Sequence, residues 1–206
     1  MKKALKPIIV LSLIAIISGA LLGLVFSFTQ INQEEVLNKQ LNSFYTCKDG
    51  FDDVTSKYAE QQASKEGVFA KGSVEGVYLP KDNTNNVVIK AQGLEAYSKS
   101  IQILVMIENN KIKAISVYET KETAGVGSKV LTDKYFARYI GVDISAFGVF
   151  ELKTAKEGNQ KVDALSGATK TSRALMNAMN AAITIYKNNL QDFNRVAAAL
   201  EVSYGI

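Results

Sequence analysis

The stretch "VDALSGATKTSRAL", residues 162–175, decides how the second half of the chain is read. A strand-like run ends in four small residues (Ser166, Gly167, Ala168, Thr169), and a new periodicity then begins. Leu175, Met179, Ala182, Ile183 and Tyr186 recur on one face at helical spacing, so a long helix is expected from about Gly167 to Asn189. Its start has two readings. Ser166 can cap the helix by accepting a bond from a first-turn amide. Equally, a helix start offers free N–H groups and partial positive charge to a phosphate. Gly167 and Ala168 leave room for one, and Lys170 and Arg173 add charge nearby.

Upstream of this stretch the period is that of strands. Residues 74–80, 86–93, 101–108 and 111–119 read as four of them, with Ile101, Ile103, Val105 and Ile107 alternating onto one face. Asn109-Asn110 separates the last two, and asparagine tolerates the positive φ that a two-residue hairpin turn demands. A polar loop with two glycines covers 119–130, and 131–141 fits a helix with Thr132 at its N-cap. Residues 148–155 read as a further strand and 156–160 as a turn. Nearer the N-terminus, 32–46 has the spacing of a helix (Val36, Leu37, Leu41, Phe44), and a second helix is expected around Asp52 to Lys65. Gly67 and Gly72 interrupt the pattern.

The first thirty residues differ. From Pro7 to Phe28 there is no charge. At about 1.5 Å per residue that run spans roughly 30 Å, the thickness of a hydrocarbon core. Ser18-Gly19-Ala20 offers a weak signal-peptidase site, but the apolar run continues through Leu21, Leu22, Val25 and Phe26, longer than a signal core. An uncleaved anchor is therefore expected. Lys2, Lys3 and Lys6 precede it and no basic residue follows until Lys39, which places the N-terminus in the cytoplasm and the remainder outside. Gly19 and Gly23 have the spacing of a helix contact face within the membrane. The fold class expected is α+β: a single N-terminal transmembrane helix, then an antiparallel sheet with flanking helices. The divisions are 1–6 cytoplasmic, 7–28 transmembrane, 29–66 helical stalk and 67–206 globular domain.

Composition removes several chemistries. The net charge is +4, but the basic residues are scattered, so no nucleic-acid partner is expected. The chain contains no histidine and one cysteine, Cys47, which excludes histidine acid–base catalysis, an internal disulfide and Cys/His metal sites. Redox chemistry would have to come from a bound organic cofactor or from another protein.

"DALSGATKTS" resembles the flavin-attachment motif of the FMN-binding domain family, Asp-x-x-Ser/Thr-Gly-Ala-Thr. "KETAGVGSKV" is similar to that family's Glu-Thr-Pro-Gly-Leu-Gly loop, with Glu122, Thr123, Gly125 and Gly127 matching, Ala124 in place of proline, and Thr120 where histidine is common. The resemblance covers about residues 70–190. It implies FMN joined by a phosphoester to Thr169, and a cofactor site drawn from Ser166, Gly167, Ala168, Lys170, Thr171, Glu122, Thr123 and Gly125. No catalytic acid or base is implied. With one anchor and about two hundred residues, the chain resembles the G-subunit family of Rnf electron transport complexes. The related C-subunit family of sodium-pumping NADH:quinone reductases shares the motif, and a stand-alone extracytoplasmic flavin shuttle is a third reading. The implied role is an electron-relay subunit of a ferredoxin:NAD+ oxidoreductase that moves Na+ or H+ across the cell membrane. Its partners would be the other subunits, a flavin transferase and the lipid bilayer. Asp163 is a candidate for orienting the motif or for a structural turn, and Tyr97, Tyr118, Tyr135 and Phe136 for walling the flavin ring or for core packing.

Overall fold

The structure, a computed structural model, describes residues 2–29, 33–82 and 85–193. The part of the expected 67–206 domain from residue 194 onward lies outside the described residues. The chain divides into two compact units between Gln40 and Leu41.

The first unit contains helix α1 (Lys2–Thr29) and most of α2 (Gln33–Phe44). In α1 the side chains are described from Val10 to Val25, about 24 Å of helix. Leu11, Ile16 and Leu22 among them are exposed. Among the described residues no helix is long and apolar enough to cross a membrane.

The second unit is a helix packed on an antiparallel meander. Its strands are β1 (Phe51–Asp53), β2 (Gly72–Pro80), β3 (Asn86–Ala96), β4 (Lys99–Glu108) and β5 (Lys111–Thr120), hydrogen-bonded in chain order. The Asn109-Asn110 turn forms as expected, with φ of 48° and 63°. Ile101, Ile103, Val105 and Ile107 are buried together, as their alternation predicts. After β5 come the short α3 (Asp133–Phe136), a parallel pair β6 (Phe150–Leu152) and β7 (Gln160–Val162), the long α4 (Thr169–Asn188) and the short α5 (Leu190–Phe193).

Helix α4 lies across β3, β2 and β4. Its apolar face, Leu175, Met179, Ala182, Ile183 and Tyr186, is fully buried. Ala174, Ala178 and Ala181 let the helix come close, and two glycines paired across β2 and β3, Gly72 and Gly93, complete the approach. A Cβ on Gly93 would stand 1.8 Å from the Ala174 carbonyl oxygen, and one on Gly72 2.4 Å from that of Asn177. The depth and register of α4, and so the place of its first turn, follow from these contacts.

Three expectations need correction. Residues 52–65 do not form a helix. Phe51–Asp53 join the sheet edge as β1, and short 3-10 turns follow at Thr55–Tyr58 and Glu60–Gln62. The cause is tertiary: the Val77 N–H donates to Thr55 Oγ1 at 2.9 Å, and Tyr58 is buried in the core. The helix at 131–141 is only one turn long. Thr132 occupies its N-cap position without a side-chain cap, because its hydroxyl donates to the Lys129 carbonyl instead. Finally, Ser166 does not cap α4. The N-cap position is Ala168, and no side chain caps the helix.

Candidate functional site

The segment between β7 and α4 is fixed from below. The Tyr135 hydroxyl and the Arg138 guanidinium both donate to the Asp163 carbonyl, at 2.9 and 2.8 Å. The Asp163 carboxylate itself pairs with Lys161 and not with the motif. Next, the Leu165 N–H donates to Ser172 Oγ, and Ser172 Oγ donates to the Ala168 carbonyl. Ser172 therefore ties the loop to the first turn of the helix that follows it. Gly167 has φ of +79°, the left-handed region that excludes most side chains, and nothing lies within 4 Å of where its Cβ would be. Glycine is required here by the backbone, with open space beside it.

The first turn of α4 opens onto a cleft of about 460 Å³. Gly167, Ala168, Thr169, Lys170 and Thr171 form one side, and Glu122, Thr123, Val126 and Gly127 the other, with Tyr97 at the rim. With no side-chain cap, the first-turn amides retain their hydrogen-bonding capacity. Thr169 is half-buried and Lys170 exposed.

One carboxylate joins the walls. Glu122 Oε1 accepts from the Ser98 N–H at 2.8 Å, and Oε2 accepts from the Thr171 hydroxyl at 2.7 Å. The β3–β4 turn, the 122–127 loop and α4 are thus bound through a single side chain. Partial burial alone would push the Glu122 carboxyl up; the hydrogen bonds from Ser98, Thr171 and Tyr97 outweigh it and hold the group below the usual range. Gly127 leaves space for this carboxylate, since a Cβ there would lie 1.8 Å from Glu122 Oε2 and 2.9 Å from Thr171 Oγ1.

Of the residues expected at the site, Gly167, Ala168, Thr169, Lys170, Thr171, Glu122 and Thr123 meet at the cleft. Ser166 is exposed beside it and does not line it. Gly125 also stands off the lining; its φ of +82° shapes the loop, and its N–H donates to Ser128 Oγ. Arg173 pairs with Glu95 at 3.9 Å rather than facing the cleft. Tyr135 and Phe136 are buried in the core, and Tyr118 lies under Lys90 at 3.6 Å. Tyr97 is the aromatic at the cleft. Val126 and Gly127 were not among the expected residues, although the Gly-x-Gly pattern that holds them was visible.

Comparison with known proteins supports the resemblance drawn from the motif. The FMN-binding domain family matches residues 96–184, a segment that contains all the cleft residues. The chain is similar to the G subunit of the Na(+)-translocating ferredoxin:NAD(+) oxidoreductase complex of Acetobacterium woodii, 28% identical over 67% of this chain and 68% of that protein. It is 25% identical to the G subunit of the ion-translocating oxidoreductase complex of Methanosarcina acetivorans, over 88% of this chain and 94% of that protein. The C subunit of the Na(+)-translocating NADH-quinone reductase of Haemophilus ducreyi is 28% identical over 62% of this chain and 53% of its own length.

Proposed function

We propose that this chain is the flavin-carrying electron-relay subunit of an Rnf-type ion-translocating oxidoreductase, with FMN esterified through its phosphate to the Thr169 hydroxyl. The observation that carries the reading is the place of Thr169. It stands in the first turn of a long, uncapped helix, on the wall of a cleft large enough for a ring system. The residues present fit that cofactor. First-turn amides and Lys170 suit a phosphate, and Val126, Ala168 and Tyr97 suit a flat apolar ring. FMN bound there supplies one-electron redox chemistry. The chain's own residues hold and orient it: Thr169 provides the attachment atom, Ser172 fixes the attachment loop, and Glu122 holds the two walls together. No proton transfer by a side chain is required.

The Acetobacterium woodii and Methanosarcina acetivorans matches are to G subunits, which supports a G-type assignment. The charge pattern around the apolar run Pro7–Phe28 supports a single-pass anchor in the cell membrane, with residues 1–6 cytoplasmic and the 67–206 domain on the extracytoplasmic side beyond a 29–66 stalk. The partners are then the other subunits of the complex, the bilayer, and a flavin transferase acting outside.

The test is Thr169→Ala in the full chain, produced together with a flavin transferase. Wild-type protein should fluoresce in a denaturing gel and gain the mass of FMN less one water. The variant should do neither. Because the Thr169 side chain bonds to no other side chain among the described residues, the melting temperature should move little, with a cost of about 0.5 kcal/mol. Equal in-gel fluorescence in the variant would overturn the assignment.

A further inference from the structure

We propose that Tyr97 is the side chain that stacks on the flavin ring; the inference rests on the cofactor reading above. Tyr97 sits at the tip of the β3–β4 turn and is 74% exposed, although it is a large ring at the rim of an apolar cleft. A single exposed aromatic is ordinary on a loose loop. This turn is not loose. Glu95 and Lys99, on either side of Tyr97, both have left-handed backbones, with φ of 71° and 86°, and the ladder is bulged between Leu94 and Ala96. Such conformations are costly for residues with a side chain and persist only where the surroundings impose them.

Two of the contacts that hold the turn lead back to α4. Glu95 pairs with Lys71 at 3.1 Å through one carboxylate oxygen and reaches Arg173 at 3.9 Å through the other. The Ser98 N–H donates to Glu122, which accepts in turn from Thr171. The turn is therefore tethered on both sides of its tip to the helix whose first residue is Thr169. Lys170 Nζ lies 6.0 Å from the Tyr97 ring centroid, so the ring already faces the attachment turn. A braced, strained turn that holds an aromatic over a cleft beside the attachment threonine is arranged to cover a flat ligand. The phenol presents a π-face to stack against and a polar tip for solvent.

Native fluorescence tests this. A phenol in contact with an excited flavin donates an electron to the ring and takes it back, which quenches emission with no net chemistry. Phenylalanine stacks but does not donate. In the full-length flavinylated protein, Tyr97→Phe should lengthen the flavin fluorescence lifetime several-fold while leaving in-gel fluorescence of the denatured chain unchanged. Tyr118→Phe should leave both unchanged. A lifetime unaltered in Tyr97→Phe, with covalent flavin present, would overturn the proposal, as would equal lengthening in Tyr118→Phe. Wild-type protein that carries no in-gel flavin would overturn the cofactor reading itself, and this inference with it.

Discussion

Two glycine-to-alanine changes, equal in the clash they introduce, should differ in their consequences. A Cβ on Gly93 would stand 1.8 Å from the Ala174 carbonyl oxygen, 2.8 Å from its carbon and 2.9 Å from the Ala178 nitrogen. All three are backbone atoms of α4. An ordinary carbon–oxygen contact is about 3.4 Å, so the helix must retreat by roughly 1.6 Å at that point. A radial gap of about 0.5–1 Å already forfeits a quarter to a half of the dispersion energy between packed atoms. Gly93→Ala should therefore reach or exceed the upper end of overpacking costs, about 3 kcal/mol. For a domain of this size that lowers the melting temperature by about 6–12 °C. On Gly127 the nearest atom is likewise at 1.8 Å, but it is Glu122 Oε2, the far end of a flexible side chain. Glu122 can swing into solvent, where its carboxylate regains water, while the buried Thr171 hydroxyl, 2.9 Å from the new Cβ, loses its partner, a loss of about 1–3 kcal/mol. Gly127→Ala should thus lose less stability than Gly93→Ala yet load less covalent flavin, because the cleft walls lose their common tie. Urea unfolding of the full chain, read beside in-gel fluorescence, measures both effects. Equal destabilisation by the two variants, or a Gly93→Ala protein within about 1 kcal/mol of wild type, would refute the reasoning.

Two further outcomes are expected. The folded-state pKa of Glu122 is held below its ordinary value, so its carboxylate contributes stability above the unfolded value near about 4.3, and that contribution is lost as pH falls through the folded value. Glu122→Gln should lose more stability at pH 7 than at pH 3, and parallel pH profiles for the two proteins would count against the tie. Tyr139 is fully buried, burial pushes its phenol up, and its hydroxyl has no hydrogen-bond partner among the described residues. Tyr139→Phe should be neutral or raise stability by about 1 kcal/mol, and a loss of that size in thermal unfolding would show that the hydroxyl is satisfied.

What could be read from the sequence was what is set locally. The Asn109-Asn110 turn depends on the residues' own tolerance of positive φ, and the buried face of α4 on spacing within one element. What could not be read was set by distant partners. Residues 52–65 carry apolar residues at near-helical spacing, but Val77 and the β2 edge draw them into a strand and two turns. Ser166 has the chemistry of a cap, yet Gly167 turns the chain left-handed immediately after it and shifts the helix start to Ala168 and Thr169. The four candidate aromatics were equivalent on paper. Burial separates Tyr135 and Phe136 from Tyr97, and burial depends on where the β3–β4 turn and α3 come to rest.

The polar residues of α4 show why a helix start can serve as a defined attachment point. An apolar face alone lets a helix slide or rotate at modest cost, because hydrophobic contact is not directional. Four buried polar side chains of α4 are each claimed by a different element. Thr171 donates to Glu122 in the cleft loop, and Ser172 holds Leu165 and Ala168. Asn177 donates to the Leu94 carbonyl on β3, and Asn180 both accepts from and donates to the Phe150 backbone on β6. A slip of one residue along the helix would break the bonds to Glu122, Leu94 and Phe150 at once, and each orphaned buried group costs about 1–3 kcal/mol. Alternative registers of α4 are therefore closed by directional bonds as well as by the Gly72 and Gly93 contacts. A residue in its first turn inherits that precision, and Thr169 is held there beside a cleft whose opposite wall is bonded to the same helix.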